Sequence, residues 1–390
     1  MNKDKYNILF IAHSSELYGA ERCLLELIIN LPERIKPVVI APRPGPFLDK
    51  IRENQVECFI VPFKGWSYRK IRVKCIPKAF INMVALFNIL NKLRNRKINM
   101  VYSNTLYSPL GAVIARVLSV PHIWHAHEFA HLNYREKFEY GTNYSMALVN
   151  KLSNIVVCPS NKLKENLSEF VSQKKLRRVY NGIDQATLPF SREKYRDRPK
   201  ENGIKILMVG SISENKGQSD AILALNELLK NGEKAELIIL GESNGNRKYI
   251  EYLKKLEKIL PYDDVVKWEG FQNNAGDYMQ KADVLIICSK FETFGRVAVE
   301  AMSSGCPVVA SKSGGISEII EDGANGFTYD SGNFVELANK IRLLMNDKDL
   351  YAQISKNARI SCLKNFQLGT YVENIVKIMD EVMDNVTRSQ

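Results

Sequence analysis

The stretch at 289–305, SKFETFGRVAVEAMSSG, follows an apolar run, VLIIC at 284–288, that is typical of a buried strand. Gly295 interrupts the apolar pattern, and from Val297 onward apolar residues recur at helical spacing. The stretch therefore predicts a loop that leads from a strand into a helix beginning near residue 296. The first N–H groups of a helix have no partner within it and its dipole is positive there, so this helix start is a candidate anion site.

Two carboxylates lie on either side of this helix start. Glu292 precedes the turn, and Glu300 follows it by about one helical turn. Carboxylates accept hydrogen bonds and can hold hydroxyl groups, whereas the backbone N–H groups of residues 294–297 suit a phosphate. The pattern therefore predicts a ligand that carries both a diphosphate and hydroxyl groups, as a nucleotide sugar does.

The composition is that of a globular protein with more than one domain. At 390 residues the chain is long for a single core, and it has no apolar run long enough to span a membrane. The N-terminus lacks the long apolar segment of a signal peptide, and the seven cysteines include no Cys-x-x-Cys pair. We therefore expect a cytoplasmic protein whose cysteines are free and mostly buried.

Apolar runs typical of strands alternate with helical patterns in two series along the chain. The first series comprises runs at 7–12 (NILFIA), 38–41, 56–62, 100–103, 122–124 and 155–158. The second comprises runs at 205–210 (KILMVG), 235–241, 265–269, 284–289, 307–311 and 326–329. This alternation predicts two doubly wound α/β domains with parallel sheets, whose ligands bind beyond the carboxyl ends of the strands.

Three further segments complete the predicted organisation. The polar run REKYRDRPKEN at 192–202 predicts the linker between the domains, and the spacing at 370–383 predicts a helix whose docking partner periodicity does not reveal. Asp347 and Asp349 are predicted to lie in a polar loop between C-terminal helices, away from any strand end. They are therefore not expected to form a metal site.

Positive charge is concentrated in the first half of the chain. Residues 1–190 contain 28 Lys and Arg against 14 Asp and Glu, whereas residues 191–390 contain 27 against 29. The segment 64–97 has ten basic and no acidic residues, with aromatic residues between them. This composition is typical of a helix on anionic lipid, although a solvated helix packed on the sheet is the alternative. Because no nucleic-acid-binding motif accompanies the charge, we expect a membrane surface as the partner and no nucleic acid.

Four of the five histidines fall in HIWHAHEFAH at 122–131, where a strand is predicted to end. An imidazole there can donate to a substrate hydroxyl or a departing phosphate. His127, followed by Glu128, is the preferred candidate and His125 the second, while a structural role for either stays open. Zinc is the lesser alternative, because no cysteine or well-spaced third ligand is nearby.

Two loops with glycines follow strands of the second series. In VGSISENKG at 209–217, Lys216 precedes a helix predicted over 219–230 and can reach a diphosphate, although the spacing is not that of Walker A and an exposed loop lysine is the alternative. The pair at 314–315 predicts either a close approach of the backbone to the ligand or to the opposing domain, or a plain turn. No Gly-x-Gly-x-x-Gly follows either first strand, which argues against a dinucleotide oxidoreductase.

Taken together, these motifs resemble the family 4 retaining glycosyltransferases of the GT-B fold. The resemblance rests on FETFGRVAVEAMSSGCPVV at 291–309 with GGISEIIEDGANG at 314–326, and on four shorter motifs in order: YGAE at 18–21, His127-Glu128, NGID at 181–184 and Lys216-Gly217. It implies two doubly wound Rossmann-like domains facing across a cleft. Residues 1–190 would bind the acceptor, residues 203–365 the nucleotide sugar, and a helix over 366–390 would cross back to the first domain.

The resemblance also implies roles for individual residues. Glu300 would bind ribose, Glu292 would face the transferred sugar, and Lys216 would pair with the diphosphate in place of a metal. His127 would act on the sugar from the first domain. Phe294, Gly295, Arg296 and Val297 would offer backbone N–H groups to the sugar and the phosphate, and Phe271 would contact the base. Gly19 would leave room for the donor phosphate near the acceptor, and Ser211 is the remaining donor-binding position. Ser211 stands where the family commonly has arginine and Tyr18 where glycine is usual, so more of the diphosphate charge falls on Lys216 and the helix start.

The function implied is a retaining, metal-independent transfer of a sugar from a nucleotide-diphosphate sugar, with a UDP-sugar favoured, to a lipid-linked glycan or polysaccharide. No cofactor is expected besides this donor, and the enzyme would lie at the inner face of the plasma membrane. A nucleotide-sugar 2-epimerase of the same fold is one alternative. A non-catalytic subunit that supports a partner enzyme is the other.

Overall fold

The computed structural model of the protein describes residues 5–68, 75–129, 137–184, 203–243 and 245–389. It divides into two compact units. The first comprises residues 1–182 together with 368–390, and the second comprises residues 183–367. The predicted linker at 192–202 lies outside the described residues.

The first unit contains a seven-stranded parallel sheet flanked by helices. Its strands are β1 (Tyr6–Ala12), β2 (Ile35–Ala41), β3 (Glu57–Ile60), β4 (Ser67–Tyr68), β5 (Met100–Asn104), β6 (His122–His125), β7 (Lys137–Phe138), β8 (Ile155–Cys158) and β9 (Leu176–Arg178). Its first helices are α1 (Gly19–Ile29), α2 (Pro46–Glu53), α3 (Cys75–Leu93), α4 (Leu110–Leu118), α5 (Thr142–Leu152) and α6 (Asn161–Ser168). The strand order is β3-β2-β1-β5-β6-β8-β9, and β4 pairs with β7 in a separate antiparallel ribbon.

The second unit contains a six-stranded parallel sheet in the order β12-β11-β10-β13-β14-β15. Its strands are β10 (Ile204–Val209), β11 (Ala235–Leu240), β12 (Val266–Gly270), β13 (Val284–Ile287), β14 (Val308–Ser311) and β15 (Phe327–Tyr329). Its helices are α7 (Gln218–Lys230), α8 (Arg247–Glu257), α9 (Ala275–Lys281), α10 (Arg296–Ser303), α11 (Phe334–Asn346) and α12 (Lys348–Asn365). In each sheet the chain first adds strands on one side of its first strand, β1 or β10, and then continues on the other side. Doubly wound folds bind ligands at this switch point.

The last helix, α13 (Leu368–Ser389), belongs to the first unit. Its apolar side, including Ile375 and Met379, joins the same core cluster as β1. Arg34 donates through two guanidinium nitrogens to the two carboxylate oxygens of Asp380, at 2.9 Å each, and the Tyr6 hydroxyl donates to Asp380 at 2.8 Å. Burial and the neighbouring Asp380 raise the pKa of Tyr6, so the hydroxyl keeps its proton. This network identifies the docking partner that the periodicity of α13 left open.

The prediction of two parallel α/β domains is confirmed, because a strand overlaps each of the twelve predicted runs. The additional strands β4, β7 and β9 have only two or three residues, too few for a periodic signal. The placement of Asp349 in a loop is wrong, because it lies in the first turn of α12, where acidic residues are favourable. Asp347 lies between α11 and α12, as predicted, and its side chain caps α12 by accepting from the Leu350 N–H at 2.9 Å.

Two other properties of the described residues bear on the sequence-based expectations. Every cysteine whose side chain is described is free, and all of these except Cys58 are buried, as predicted. None of the helices in the described ranges combines the length and the hydropathy that a membrane crossing requires.

Candidate functional site

The loops that follow β10 and β13 begin at the same edge of the second sheet, because these strands are parallel neighbours. Asn215 joins the two loops. Its side-chain amide donates to the Phe291 carbonyl, and its side-chain carbonyl accepts from the Phe291 N–H, both at 3.2 Å. The backbone carbonyl of Asn215 also accepts from the Lys290 N–H at 2.8 Å. Asn215 thereby positions its neighbour Lys216, a role that the sequence analysis missed because asparagine in a loop signals only a turn.

Lys216 and Glu292, 76 residues apart in sequence, form an ion pair across these loops. The lysine Nζ lies 2.8 Å from the Glu292 Oε2, and the Ser289 hydroxyl donates to the same oxygen at 3.2 Å. The side chains are 28% and 16% exposed, respectively, so solvent reaches both. Because a partly solvated ion pair is weak, the two groups can separate and regroup around a ligand at small cost.

Gly295 initiates α10 in a conformation that requires glycine. Its φ is +106°, and a Cβ atom at this position would lie 2.3 Å from the Cδ1 of Ile316. The helix begins at Arg296, as predicted. Phe294 is buried and packs edge-on against Phe366 with ring centroids 5.7 Å apart, so its backbone rather than its ring is suited to a ligand.

The glycine pair at 314–315 supports the loop of Glu292. Gly314 to Glu318 form a 3₁₀ turn, and the Gly315 N–H donates to the Glu292 carbonyl at 2.8 Å. Glu292 is therefore held by Gly315 at its backbone carbonyl and by Lys216 and Ser289 at its carboxylate. Of the two predicted alternatives for this motif, the structure shows the turn, and an approach to a ligand or to the other domain stays a prediction.

Arg296 and Glu300 lie one turn apart on α10 and face each other. The Arg296 Nε lies 2.8 Å from the Glu300 Oε1, and both side chains are 12% exposed. This contact fixes the orientation of the carboxylate that the resemblance assigns to ribose. Val297, in the same first turn, is partly buried.

Two other predicted donor-binding residues lie at strand ends of this sheet. The Ser211 carbonyl accepts from the side-chain amide of Gln218 at 3.1 Å, while the serine itself is exposed. Phe271 follows Gly270, whose φ is +68°, and its side chain is 40% exposed. An exposed aromatic ring of this kind can stack on a planar base.

In the first unit, the histidine-rich segment separates into buried and accessible members. His122 and His125 lie within β6 and are buried, with Nε2 of His122 2.8 Å from the Ser103 hydroxyl and Nδ1 of His125 2.8 Å from the Tyr102 hydroxyl. Burial lowers the pKa of each imidazole to about 3. Both therefore stay neutral, and we interpret His125, the second candidate, as a core residue.

His127 lies just beyond β6 and is partly exposed. Its Nε2 lies 3.1 Å from the Asn104 Oδ1, while the Asn104 amide donates to the Ala20 carbonyl at 3.1 Å. Asn104 therefore orients His127 and ties it to the start of α1. The sequence analysis missed Asn104, which is the last residue of a buried strand and carries no motif.

Glu128 supports the loop that follows β5. Its Oε2 accepts from the Leu106 N–H at 2.8 Å and from the His127 N–H at 3.2 Å. The adjoining Thr105 has a φ of +78°, which is costly for a β-branched residue. Burial raises the pKa of Glu128 to about 7, so this carboxyl is partly protonated near neutral pH.

The variant Glu128→Gln is expected to change the pH dependence of stability. Between the ordinary pKa of 4.5 and the raised value of about 7, the folded state binds the proton that the unfolded state releases, so this carboxyl destabilises the protein as pH rises. The glutamine keeps an acceptor oxygen and does not titrate. From about pH 5 to about pH 8, the variant should gain about 2 kcal/mol of unfolding free energy relative to the wild type. Urea titrations at both pH values measure this, and a constant difference would contradict the assignment.

The start of α1 contains a second pair of polar groups. The buried Glu21 carboxylate lies 2.9 Å from the Nδ1 of His13, which immediately follows β1. In the sequence, Glu21 is marked only as part of the motif YGAE at 18–21, and no pattern marks His13. Gly19 opens the helix beside the exposed Tyr18, and a Cβ atom at Gly19 would meet nothing within 4 Å. Packing therefore does not require a glycine at position 19, and the role of Gly19 toward the donor stays a prediction.

Within the described ranges, no group of three or more His, Cys, Asp and Glu side chains is arranged to hold a metal ion.

Two protein-family models match this chain. The model described as Glycosyltransferase Family 4 matches residues 18–187, and the one described as Glycosyl transferases group 1 matches residues 190–361. An uncharacterised glycosyltransferase of Methanocaldococcus jannaschii is 25% identical over 344 residues, which cover 85% of this chain and 92% of that protein. The alpha-monoglucosyldiacylglycerol synthase of Acholeplasma laidlawii is 23% identical over 385 residues, which cover 92% and 93%.

Solved structures show the same fold. Anabaena HepE in complex with UDP-glucose superposes with a TM-score of 0.82 at 23% identity, covering 96% of this chain and 99% of that one. Sucrose-phosphate synthase from Thermosynechococcus elongatus superposes with a TM-score of 0.78 at 16% identity, covering 98% and 100%. At these identities the likeness shows the architecture of two Rossmann-like domains.

Proposed function

Since the chain belongs to the family 4 glycosyltransferases of the GT-B fold, we propose that it is a retaining enzyme that transfers a sugar from a UDP-sugar to a lipid-linked glycan or polysaccharide. One observation carries the proposal. The contact of Lys216 with Glu292, beside the glycine-initiated start of α10, places a cation, a carboxylate and a helix N-terminus together in the second unit. These are the groups that a sugar joined to a diphosphate requires.

The donor is assigned to groups of the second unit. The Lys216 ammonium and the N–H groups at the start of α10 would hold the diphosphate, and Glu300, oriented by Arg296, would accept from the ribose hydroxyls. Glu292, released from Lys216 when the diphosphate binds, would accept from hydroxyls of the transferred sugar. The exposed ring of Phe271 would stack on the base. Structures of HepE contain UDP or UDP-glucose, which supports uridine as the base.

For the reaction we propose a front-face route. The bond between the anomeric carbon and the diphosphate oxygen breaks, and the acceptor oxygen bonds to the same face of that carbon. The acceptor proton passes to the leaving diphosphate oxygen, so no side chain has to act as a nucleophile. Lys216 and the helix start stabilise the charge that develops on the diphosphate. Because these groups carry that task, no metal ion is required. The role of His127 toward the sugar stays a prediction of the resemblance.

The acceptor and the place of action are inferred from charge and from relatives. The first half of the chain holds the excess of basic residues, which favours an acceptor at an anionic surface. The Acholeplasma laidlawii relative is named as a synthase of a glycolipid, alpha-monoglucosyldiacylglycerol, which supports a lipid-linked acceptor. We therefore propose that the enzyme works at the inner face of the plasma membrane.

The donor assignment predicts that UDP stabilises the protein more than GDP does. A ligand at 100 times its dissociation constant adds about 2.7 kcal/mol to the unfolding free energy. Thermal unfolding with each nucleotide measures the effect, and Glu300→Ala should reduce the stabilisation by UDP, while Glu318→Ala, on the neighbouring turn, serves as the control. Equal stabilisation by both nucleotides would contradict the preference for uridine.

Transfer itself is tested with radiolabelled UDP-glucose, UDP-galactose and UDP-N-acetylglucosamine in the presence of a membrane extract. Label in the extracted lipids or polysaccharide supports the proposal. Conversion of the donor sugar without any acceptor would instead identify an epimerase. Nucleotide binding without turnover, followed by turnover when a partner protein is added, would identify a supporting subunit.

A further inference from the structure

Helix α3 has two apolar sides, and the sheet covers only one of them. Ala85, Ile89 and Leu93 are buried and belong to a core cluster shared with β1 and α4. These three residues recur at intervals of four, which places them on a single side of the helix. Through these residues α3 packs on the sheet and on α4 of the first unit.

The opposite side of α3 is apolar and exposed. Phe80, Met83, Val84 and Phe87 are 61%, 48%, 50% and 66% exposed, respectively. Their spacing of three, four and seven residues places them in one stripe, which at about 100° per residue points away from the packed side. A helix on the surface of a globular unit normally presents polar residues in this direction, so the stripe indicates a partner.

Helix α4 also has exposed apolar residues. It packs beside α3, and its Val113 and Val117 are 37% and 52% exposed although Ile114 and Ala115 between them are buried. We refer to the four exposed residues of α3 together with these two valines as the α3–α4 face.

The charge of this region identifies the kind of partner. Residues 75–118 contain six basic residues and no acidic residue: Lys78, Lys92, Arg94, Arg96, Lys97 and Arg116. Glu139 and Glu57 pair with Lys78 and Arg96, and in the described part of the chain no carboxylate pairs with the other four. Arg94 and Lys97 beyond the end of α3 and Arg116 next to Val117 are exposed, so a second copy would add like charges to this region. An anionic lipid surface complements both the cations and the apolar stripe.

A cavity connects the start of α3 with the carboxyl edge of the first sheet. It has a volume of about 300 Å³, and its lining includes Lys78 of α3, Lys64, and His13 and Tyr107 of the loops that follow β1 and β5. The cavity therefore brings a cation of α3 together with two loops at the carboxyl edge of the first sheet.

We propose that the α3–α4 face docks on an anionic lipid bilayer, with α3 lying in the plane of the interface and its exposed stripe inserted among the lipid headgroups. The proposal rests on the proposed function only in that the same bilayer would supply the lipid-linked acceptor. Docking itself requires no glycosyl transfer.

Vesicle sedimentation tests the face with the full chain. The double variant Phe80→Ser/Phe87→Ser is compared with Leu343→Ser/Ile360→Ser, which removes two similarly exposed apolar residues from the second unit. With vesicles of equal parts phosphatidylglycerol and phosphatidylcholine, the first variant should bind at least about tenfold more weakly than the wild type, because two exposed aromatic side chains no longer insert. The control variant should bind as the wild type does, and added salt should weaken binding of both.

Three results would overturn the proposal. The first is unchanged vesicle binding by Phe80→Ser/Phe87→Ser. The second is wild-type binding to pure phosphatidylcholine vesicles that is as strong as its binding to the mixed vesicles. The third is a dimer in sedimentation velocity that this variant abolishes while no form binds vesicles, which would assign the face to a second copy. Stabilisation by UDP, measured on the same preparations, separates this proposal from the proposed function. A variant that loses vesicle binding but still binds UDP supports the role of the face in docking. Wild-type protein that binds vesicles but transfers no sugar contradicts the proposed function and leaves the docking proposal in place.

Discussion

Replacing Lys216 with methionine is expected to lower the rate of sugar transfer about 10²–10³-fold, which is the typical effect of removing one preorganised electrostatic group from a reaction centre. The ammonium is held at 2.8 Å from Glu292, and Asn215 anchors the loop on which it stands. Ser211 occupies the position where the resemblance implies a second cation. Lys216 therefore carries more of the diphosphate charge, and its loss should act mainly on turnover, where that charge develops.

Steady-state kinetics with a labelled donor and a membrane extract measure the effect. Lys312→Met is the control, because Lys312 forms an exposed ion pair with Asp330 in the same unit and is assigned no role. The stability of Lys216→Met should stay close to that of the wild type, since the partly exposed pair contributes little and Ser289 still donates to Glu292. Turnover within threefold of the wild type would place the diphosphate elsewhere.

Replacing Gly217 with alanine is expected to destabilise the protein by about 4 kcal/mol, because strain and overpacking combine at this position. Gly217 initiates α7 with a φ of +73°, and a Cβ atom there would lie 2.3 Å from the backbone carbonyl oxygen of Cys288. That oxygen belongs to the chain leaving β13 and cannot move without displacing the loop of Glu292. Donor binding should therefore be lost together with stability.

Gly232, beyond the other end of α7, provides a matched control. Its φ is +81°, but a Cβ atom at this position would meet nothing within 4 Å. Gly232→Ala should therefore cost only about 1 kcal/mol, the strain of a left-handed alanine. Urea unfolding of both variants gives the two costs. Equal costs would show that the close approach of Gly217 to Cys288 adds nothing.

Much of this protein follows from local sequence patterns. Runs such as NILFIA at 7–12 and KILMVG at 205–210 predict buried parallel strands because both faces of such strands are covered. Gly295 and the helical spacing after it place the start of α10 at the correct residue. These features depend on the backbone preferences and apolar periodicity of a few neighbouring residues, which the sequence alone determines.

The side-chain partners depend on the tertiary structure. The contact between Lys216 and Glu292, the support of His127 by Asn104, and the network of Asp380 join residues that are far apart in the chain. Periodicity has no information about such distances, so Asn215, Asn104 and His13 were missed. The two elements that carry the members of each contact must both be in place before the contact exists.

The exposed stripe of α3 shows the same limit most directly. In sequence, Phe80 and Phe87 are apolar residues of an apolar helix, no different from Ile89 or Leu93. Only the packed sheet distinguishes them, because it buries one side of α3 and leaves the other in solvent. The sequence by itself determined that this segment is basic and forms a helix. The tertiary structure decided which side remains open, because burial is a property of the neighbours and not of the residue.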